Sequence, residues 1–303
     1  MKGQPLDQLI QAFQQHLRRT RGTHPAVCHN YGRYVRTFLQ GVFGEGVVNV
    51  TALDAPQVSQ FISSLTGRYR PSTISLASTA LRAFFRFLRL DGRRDDRLDA
   101  AVPSVVNRKL AGLPRHIEED QLKFLLASLD SSTPRARRDR AIILCVARLG
   151  LRAGEAVGIR LDDIDWREGV LHIRTRKTGR GALLPLPQDV GRAIAEYLRN
   201  GRPPTSVRHV FVLHHLRVGA PATQHTVCDA VKIALKQAHI KAPISGPNLL
   251  RHSLATQLIR RGTSLKMIAD LLGHHCLEAT QVYAKLDLPS LREVAQPWPE
   301  VAP

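Results

Sequence analysis

The stretch from residue 91 to residue 112 constrains this chain more than any other. Asp91-Gly92-Arg93-Arg94-Asp95-Asp96-Arg97 is densely charged and carries no apolar period, and Pro103 and Gly112 punctuate the rest of it. Such a stretch reads as an interdomain linker, so the 303 residues are expected to fold as two bodies of ordinary size. Before the break, apolar residues recur at helical spacing. Leu6, Leu9, Ile10, Phe13 and Leu17 mark one helix, and Tyr31, Tyr34, Val35 and Phe38 a second. Val58, Phe61, Ile62 and Leu65 mark a third, and a fourth starts after Pro71-Ser72 and carries Leu76, Leu81, Phe84, Phe85 and Leu88. The expectation is a small four-helix unit with basic residues on its outer faces.

After the break the pattern is mixed. Leu113-Pro114-Arg115 opens the second body, and Glu118-Glu119-Asp120 gives a helix the acidic first turn it favours. Residues 140–149 read as a buried helix. Val170 to Thr175 alternates apolar and polar like a strand, Thr178-Gly179-Arg180-Gly181 is a turn, and Ala182 to Leu186 returns as a second strand. Val210-Phe211-Val212 is a candidate third strand. Helices are expected near 187–199, 224–239, 249–261, 264–272 and 277–285. The fold class is therefore mainly α with a small β-sheet. The expected division is a helical domain over 1–95, a linker over 96–112, a second domain over 113–287 and a tail over 288–303. In the tail, Leu288, Leu291 and Val294 form a short apolar stripe before Pro297-Trp298-Pro299.

Charge narrows the function. Lys plus Arg number 44 against 25 Asp plus Glu, a formal net charge of +19. Residues 1–112 hold 16 basic and 7 acidic residues, and residues 113–303 hold 28 and 18. Both halves are basic, which points to a polyanion touched by both. A membrane surface would call for a basic amphipathic helix or a lipidation signal, and neither is present. The purest apolar run, residues 141–147, is too short to span a bilayer. The N-terminus, Met1-Lys2-Gly3-Gln4-Pro5, does not begin a signal peptide. Cys28, Cys145, Cys228 and Cys276 form no CxxC pair, as expected of a reduced protein. His214-His215 and His274-His275 are adjacent pairs rather than spaced ligands, and no HExxH occurs, so no metal site is expected.

Four groups suit attack on a phosphodiester. Leu271-Leu272-Gly273-His274 is followed nine positions later by Tyr283; Arg251 lies in Leu250-Arg251-His252, and Arg152 in Gly150-Leu151-Arg152-Ala153-Gly154-Glu155. A phenol with an ordinary pKa of about 10 needs nearby cations to favour its phenolate. Two guanidinium forks, charged at any working pH, can hold the nonbridging oxygens of a pentavalent transition state. Each residue has a plainer role available. Arg152 could pair with Glu155 or Asp162, His252 could be a hydrogen-bonded core histidine, and Tyr283 could be a core aromatic beside Val282 and Leu286. Gly273 reads as a helix stop, and Asn248, after Pro247, reads as a helix N-cap.

These strings together resemble the tyrosine recombinase (phage integrase) family over residues 113–288. The resemblance implies an N-terminal helical core-binding (SAM-like) domain and an α+β catalytic domain. It implies that Tyr283 forms a 3′-phosphotyrosyl link, that Arg152 and Arg251 stabilise the transition state, and that His274 donates a hydrogen bond to the phosphate. Lys177, before the hairpin turn, matches the family's hairpin lysine and is the candidate general acid; Arg176 and Arg180 are weaker alternatives, since arginine gives up a proton poorly. Glu155 and His252 are implied as structural residues near the site. The family usually reads His-x-x-Arg-His where this chain has Asn248. Asparagine can hydrogen-bond a phosphate oxygen as a substrate-binding residue but cannot shuttle a proton at neutral pH. Further implications are double-stranded DNA as partner and a homo-oligomer, a tetrameric synapse, on it, with or without a co-acting recombinase. The resemblance also implies no cofactor, because the covalent link conserves the bond energy, a cytoplasmic, nucleoid-associated location in bacteria, and a C-terminal segment that packs on a neighbouring protomer or in cis. A type IB topoisomerase-like enzyme and a non-catalytic DNA-binding protein are the alternatives.

Overall fold

A computed structural model describes residues 4–105, 114–174, 181–273 and 283. Contacts divide the chain into two units, Met1–Lys109 and Leu110–Pro303. No helix among the described residues is long and apolar enough to cross a membrane.

The first unit holds helices α1 (Leu6–Arg21), α2 (Pro25–Phe43), α3 (Ala55–Ser64) and α4 (Pro71–Leu90), as the periodicity predicts. Their ends follow local chemistry. Gly22 closes α1 in the left-handed region, and Pro25 and Pro71 begin α2 and α4, where a missing N–H costs nothing. Asp54 and Gln57 cap α3 reciprocally, with Gln57 N donating to Asp54 Oδ1 at 2.9 Å and Asp54 N to Gln57 Oε1 at 3.1 Å. Phe13 and Phe84 meet edge to face at 5.4 Å in the core. Two features are absent from the sequence reading. One is the two-residue strand pair β1 (Gln4–Pro5) and β2 (Val47–Val48), which is antiparallel and too short to show alternation. The other is the fate of the charged break. Leu98 and Val102 are buried, and Arg82 donates to the carbonyls of Val102 at 3.0 Å and Pro103 at 2.9 Å. Residues 98–104 are thus strapped onto α4, because arginines expected on an outer face turn to backbone oxygens and to the buried Asp99.

The second unit contains α5 (Glu119–Ala127), α6 (Pro134–Leu149), α7 (Ala153–Gly158), α8 (Gln188–Asn200), α9 (Gln224–Gln237), α10 (Pro247–Arg260) and α11 (Leu265–Leu272). Helix α6 is apolar all round from residue 141 to residue 147 and is buried throughout that stretch, as a central helix must be. It packs against α8, α9 and α10. Its start lies six residues before the position read from the sequence: Thr133 accepts from Ala136 N at 3.1 Å, and the polar first turns are held by the buried Arg138, which bonds Asp139 and the carbonyl of Val212.

The sheet is antiparallel with order β3 (Ile164–Asp165), β4 (Val170–Ile173), β5 (Ala182–Pro185); Leu171 faces Leu184 and Ile173 faces Ala182. This corrects one expectation. Val210-Phe211-Val212 is fully buried but joins no sheet strand; its neighbourhood makes only the isolated bridges Arg160–His209 and Val212–Pro221. The third strand is β3 because a tight turn returns the chain at once. Asp165 Oδ1 accepts from Arg167 N and Glu168 N at 3.0 Å each, and Gly169 takes a positive φ of 64°.

Candidate active site at the meeting of helix ends

Helix α6 ends at Gly150 in the left-handed region, with φ at 62°. A Cβ there would lie 2.6 Å from Leu272 Cδ2 and 3.1 Å from Leu254 Cδ2, so only glycine permits both the turn and the approach. The chain then runs through the buried Leu151 to Arg152, the N-cap residue of α7. Glu155, one turn on, fixes it twice: Arg152 N donates to Glu155 Oε2 at 2.9 Å, and Arg152 Nη1 to Oε1 at 2.8 Å. The other end of the fork, Nη2, donates to the carbonyl of Gly273 at 2.9 Å.

Arg251 reaches the same place from the second turn of α10. Its Nη1 donates to the carbonyl of Gly150 and its Nη2 to the carbonyl of Leu272 at 2.5 Å. Leu272 and Gly273 close α11, with Gly273 in the left-handed region. The last carbonyls of a helix lack intrahelical donors and carry the negative end of its dipole. Two guanidinium groups from distant parts of the sequence are drawn to that end, one buried at 6% exposure and the other with its side chain 28% exposed. The arrangement is a cationic pair braced by backbone oxygens and one carboxylate, able to hold an anion brought to its open side.

Tyr283 lies beside it. It is only 1% exposed and packs with Ala255, Ile259, Ile268 and Leu272. Burial pushes its phenol up to about 12, while the charge of Arg251 pulls the other way. The phenol is hydrogen-bonded to His252 Nδ1, with ring centroids 5.7 Å apart. Burial pushes the His252 imidazole below its ordinary range, and the charges of Arg251 and His116 add to that. The tautomer of the His252 ring sets which of the two groups donates in this bond. The structure therefore brings together Arg152, Glu155, Arg251, His252 and Tyr283. Lys177 and His274 fall outside the described residues, as does most of the helix expected over 277–285.

One alternative is decided and one reading changes. Of the two partners open to Arg152, it takes Glu155, and Asp162 is bonded to Arg208 at 3.0 Å. Asn248 is not a cap: Gly246 holds the N-cap position and Pro247 begins α10, since the proline ring pre-sets a helical φ. Asn248 is exposed on the first turn, one turn before Arg251, and its side chain makes no hydrogen bond among the described residues. The sequence reading missed the anchoring carbonyls of Gly150, Leu272 and Gly273; the only signal for them was a glycine directly after each apolar helix. It also missed the cleft of about 250 Å³ behind Glu155, where Asp163, His172 and Arg174 face α7 from the sheet side.

A model of the phage integrase family matches residues 115–288, and one of the phage integrase N-terminal SAM-like domain matches residues 10–92. A putative integrase/recombinase, y4rA of Sinorhizobium fredii, is 40% identical over 294 residues, covering 97% of this chain and 71% of that protein. The tyrosine recombinase XerC of Halalkalibacterium halodurans is 30% identical over 296 residues, covering 95% and 96%. Among solved structures, the site-specific recombinase XerH bound to its difH substrate superposes with a TM-score of 0.75 at 18% identity, covering 99% of this chain and all of that one. The chain belongs to the phage integrase family of tyrosine recombinases, enzymes that cut and rejoin DNA strands.

Proposed function

We propose that this protein is a site-specific recombinase of a mobile element that cleaves and rejoins double-stranded DNA through a 3′-phosphotyrosyl intermediate. The observation that carries the reading is the convergence of Arg152 and Arg251 on the C-terminal end of α11, with the Tyr283 phenol near enough for Arg251 to favour its ionisation. An incoming phosphodiester offers oxygens with more charge than the carbonyls the arginines now hold. The Tyr283 hydroxyl gives its proton to solvent admitted with the DNA and its oxygen attacks phosphorus, the bond from phosphorus to the 5′-oxygen breaks, and the two forks take up the charge that develops on the nonbridging oxygens. Lys177 gives a proton to the leaving 5′-oxygen, while His274 and Asn248 donate hydrogen bonds to the phosphate. Rejoining runs the same steps backwards with a 5′-hydroxyl from the other strand, so no cofactor is consumed. In the unbound protein the buried, neutral phenol is a weak nucleophile. DNA binding must uncover it. The working assembly is a tetrameric synapse on DNA in the bacterial cytoplasm.

The test is a suicide duplex whose nicked strand diffuses away after cleavage. Wild-type protein is expected to accumulate a covalent adduct that Tyr283→Phe lacks, and to join strands from different DNA molecules, which a topoisomerase-like enzyme would not. A wild-type protein that binds duplex yet leaves no adduct would make this a DNA-binding protein without the chemistry.

A further inference from the structure

The β4–β5 hairpin is tied to the segment that carries Arg152. That segment runs from Arg152, the N-cap residue of α7, to Asp163, which ends the single helical turn Leu161–Asp163. Asp163 is buried, and its carboxylate works in two directions. Its Oδ2 accepts from Arg160 N at 2.8 Å, which closes the turn, and its Oδ1 accepts from Arg174 Nε. Arg174 directly follows β4, with its side chain half-exposed. It is the one ion-pair partner of Asp163 among the described residues. A buried carboxylate that lost this partner would keep an uncompensated charge, so the pair is costly to break. The β5 leg closes on the same place. A Cβ on Gly181 would lie 2.9 Å from the carbonyl oxygen of Ile173 and 3.1 Å from that of Arg174, so only glycine lets the two legs approach this closely.

Glu155, Asp163 and Arg174 line one cleft, the space of about 250 Å³ between α7 and β4. On its α7 side Glu155 fixes Arg152, and on its sheet side Asp163 fixes the end of β4. One short segment thus sets both the place of a transition-state arginine and the direction in which the chain leaves β4. Six residues separate Arg174 from Gly181 in the chain, and Lys177, which lies outside the described residues, is the third of them. Three residues reach at most about 10 Å even when extended. A shift of the Arg174 backbone is therefore passed on to Lys177. The commitment of Arg174 to a buried carboxylate marks it as an anchor rather than a phosphate donor.

We infer that Asp163 and Arg174 are positioning residues for the general acid: their ion pair holds the hairpin so that Lys177 meets the leaving 5′-oxygen. The inference rests on the role proposed above for Lys177. In that step the bond from phosphorus to the 5′-oxygen breaks as the Lys177 Nζ proton passes to that oxygen, which leaves a neutral amine. A 5′-bridging phosphorothioate isolates this proton transfer, because its leaving group is a thiolate. A thiol has a pKa of about 8.5, so the thiolate departs without a proton. The measurement is single-turnover adduct formation by the full-length protein on the suicide duplex, prepared with either oxygen or sulfur at the 5′-bridging position. Arg174→Ala and Asp163→Asn are each expected to slow cleavage of the oxygen duplex by about 10–100-fold, as a misplacement of about 1 Å does, and to match wild type on the sulfur duplex. Asp163→Asn keeps an acceptor for Arg160 N, so it reads the pair even where Arg174→Ala folds poorly. A defect that persists on the sulfur duplex overturns the inference and makes the pair a brace or a phosphate contact. A wild-type rate on the oxygen duplex overturns it as well. Lys177→Ala is the reference and should show the same rescue by sulfur. A Lys177→Ala variant that stays slow on both duplexes is a different result: it removes Lys177 as the acid, and the inference with it.

Discussion

Arg86 and Arg89 in the first unit and Arg152 and Arg251 in the second are the same side chain on comparable helices, yet their surroundings assign them opposite work. On α4, Arg86 and Arg89 close on Asp99, a carboxylate only 5% exposed, at 3.1 and 3.9 Å, and Arg82 is spent on carbonyls of the same strap. These charges are neutralised within the chain and hold a segment in place. At the α11 terminus a single carboxylate, Glu155, serves Arg152, and the remaining named partners are backbone oxygens. The first arrangement ties a loop segment to its helix, and the second gathers two guanidinium groups from distant parts of the sequence at one helix end.

The largest expected effect separates the two sets directly. Arg251→Ala should lower the rate of adduct formation by about 10²–10³-fold or more, as loss of one transition-state donor does, with DNA binding largely kept. Arg86→Ala should leave cleavage unchanged and destabilise the first unit by about 1–2 kcal/mol, seen in a denaturation midpoint, because Asp99 keeps only its longer contact. Equal cleavage defects in both would erase the distinction.

A smaller effect concerns how the arginine pair is held. Gly150→Ala forces a Cβ into Leu272 at a backbone angle that alanine resists. It should cost about 1–3 kcal/mol and slow cleavage, since the displaced carbonyl is the one that braces Arg251. A variant with normal stability and normal cleavage would show that the brace is dispensable.

The smallest effect is in pH. The folded pKa of His252 lies below its unfolded value, so the unfolded state binds more protons in that window. Stability from this group is present above about pH 6.5 and is lost as pH falls. Tyr283 runs the other way at the alkaline end. Its folded value, near 12, exceeds the unfolded value near 10, so its contribution is lost as pH rises through that interval. The check is a denaturation midpoint against pH for wild type, Tyr283→Phe and His252→Gln. Flat difference curves at both ends would mean that the two side chains do not form the buried pair.

Much of the architecture was legible because helices announce themselves locally. The apolar stripes of α1, α2, α3 and α4, the acidic start of α5 and the all-apolar centre of α6 need no tertiary information. The i+3 spacing of Arg152 and Glu155 likewise puts both on one face of one turn. The failures are of one kind. Strand β3 is two residues long, so no alternation exists to be read. Val210-Phe211-Val212 has a strand's composition but is buried without a ladder. Asn248 has a capping side chain, but Pro247 claims the first helical position and leaves the cap to Gly246.

The sequence by itself determined the helices, the basic surplus in both halves, and the residue types that could perform phosphoryl chemistry, because each depends on neighbours within a turn or two. It could not determine which arginines tie down the strap on α4 and which gather at the end of α11. That depends on Asp99 folding back on α4, on Gly150 admitting Leu272, and on the end of α11 meeting side chains from positions 152 and 251. It also could not place the Tyr283 phenol on His252, 31 residues away, in a pocket that keeps it neutral. Charge and proton affinity are set by burial and by partners across the fold, and only the tertiary structure supplies those.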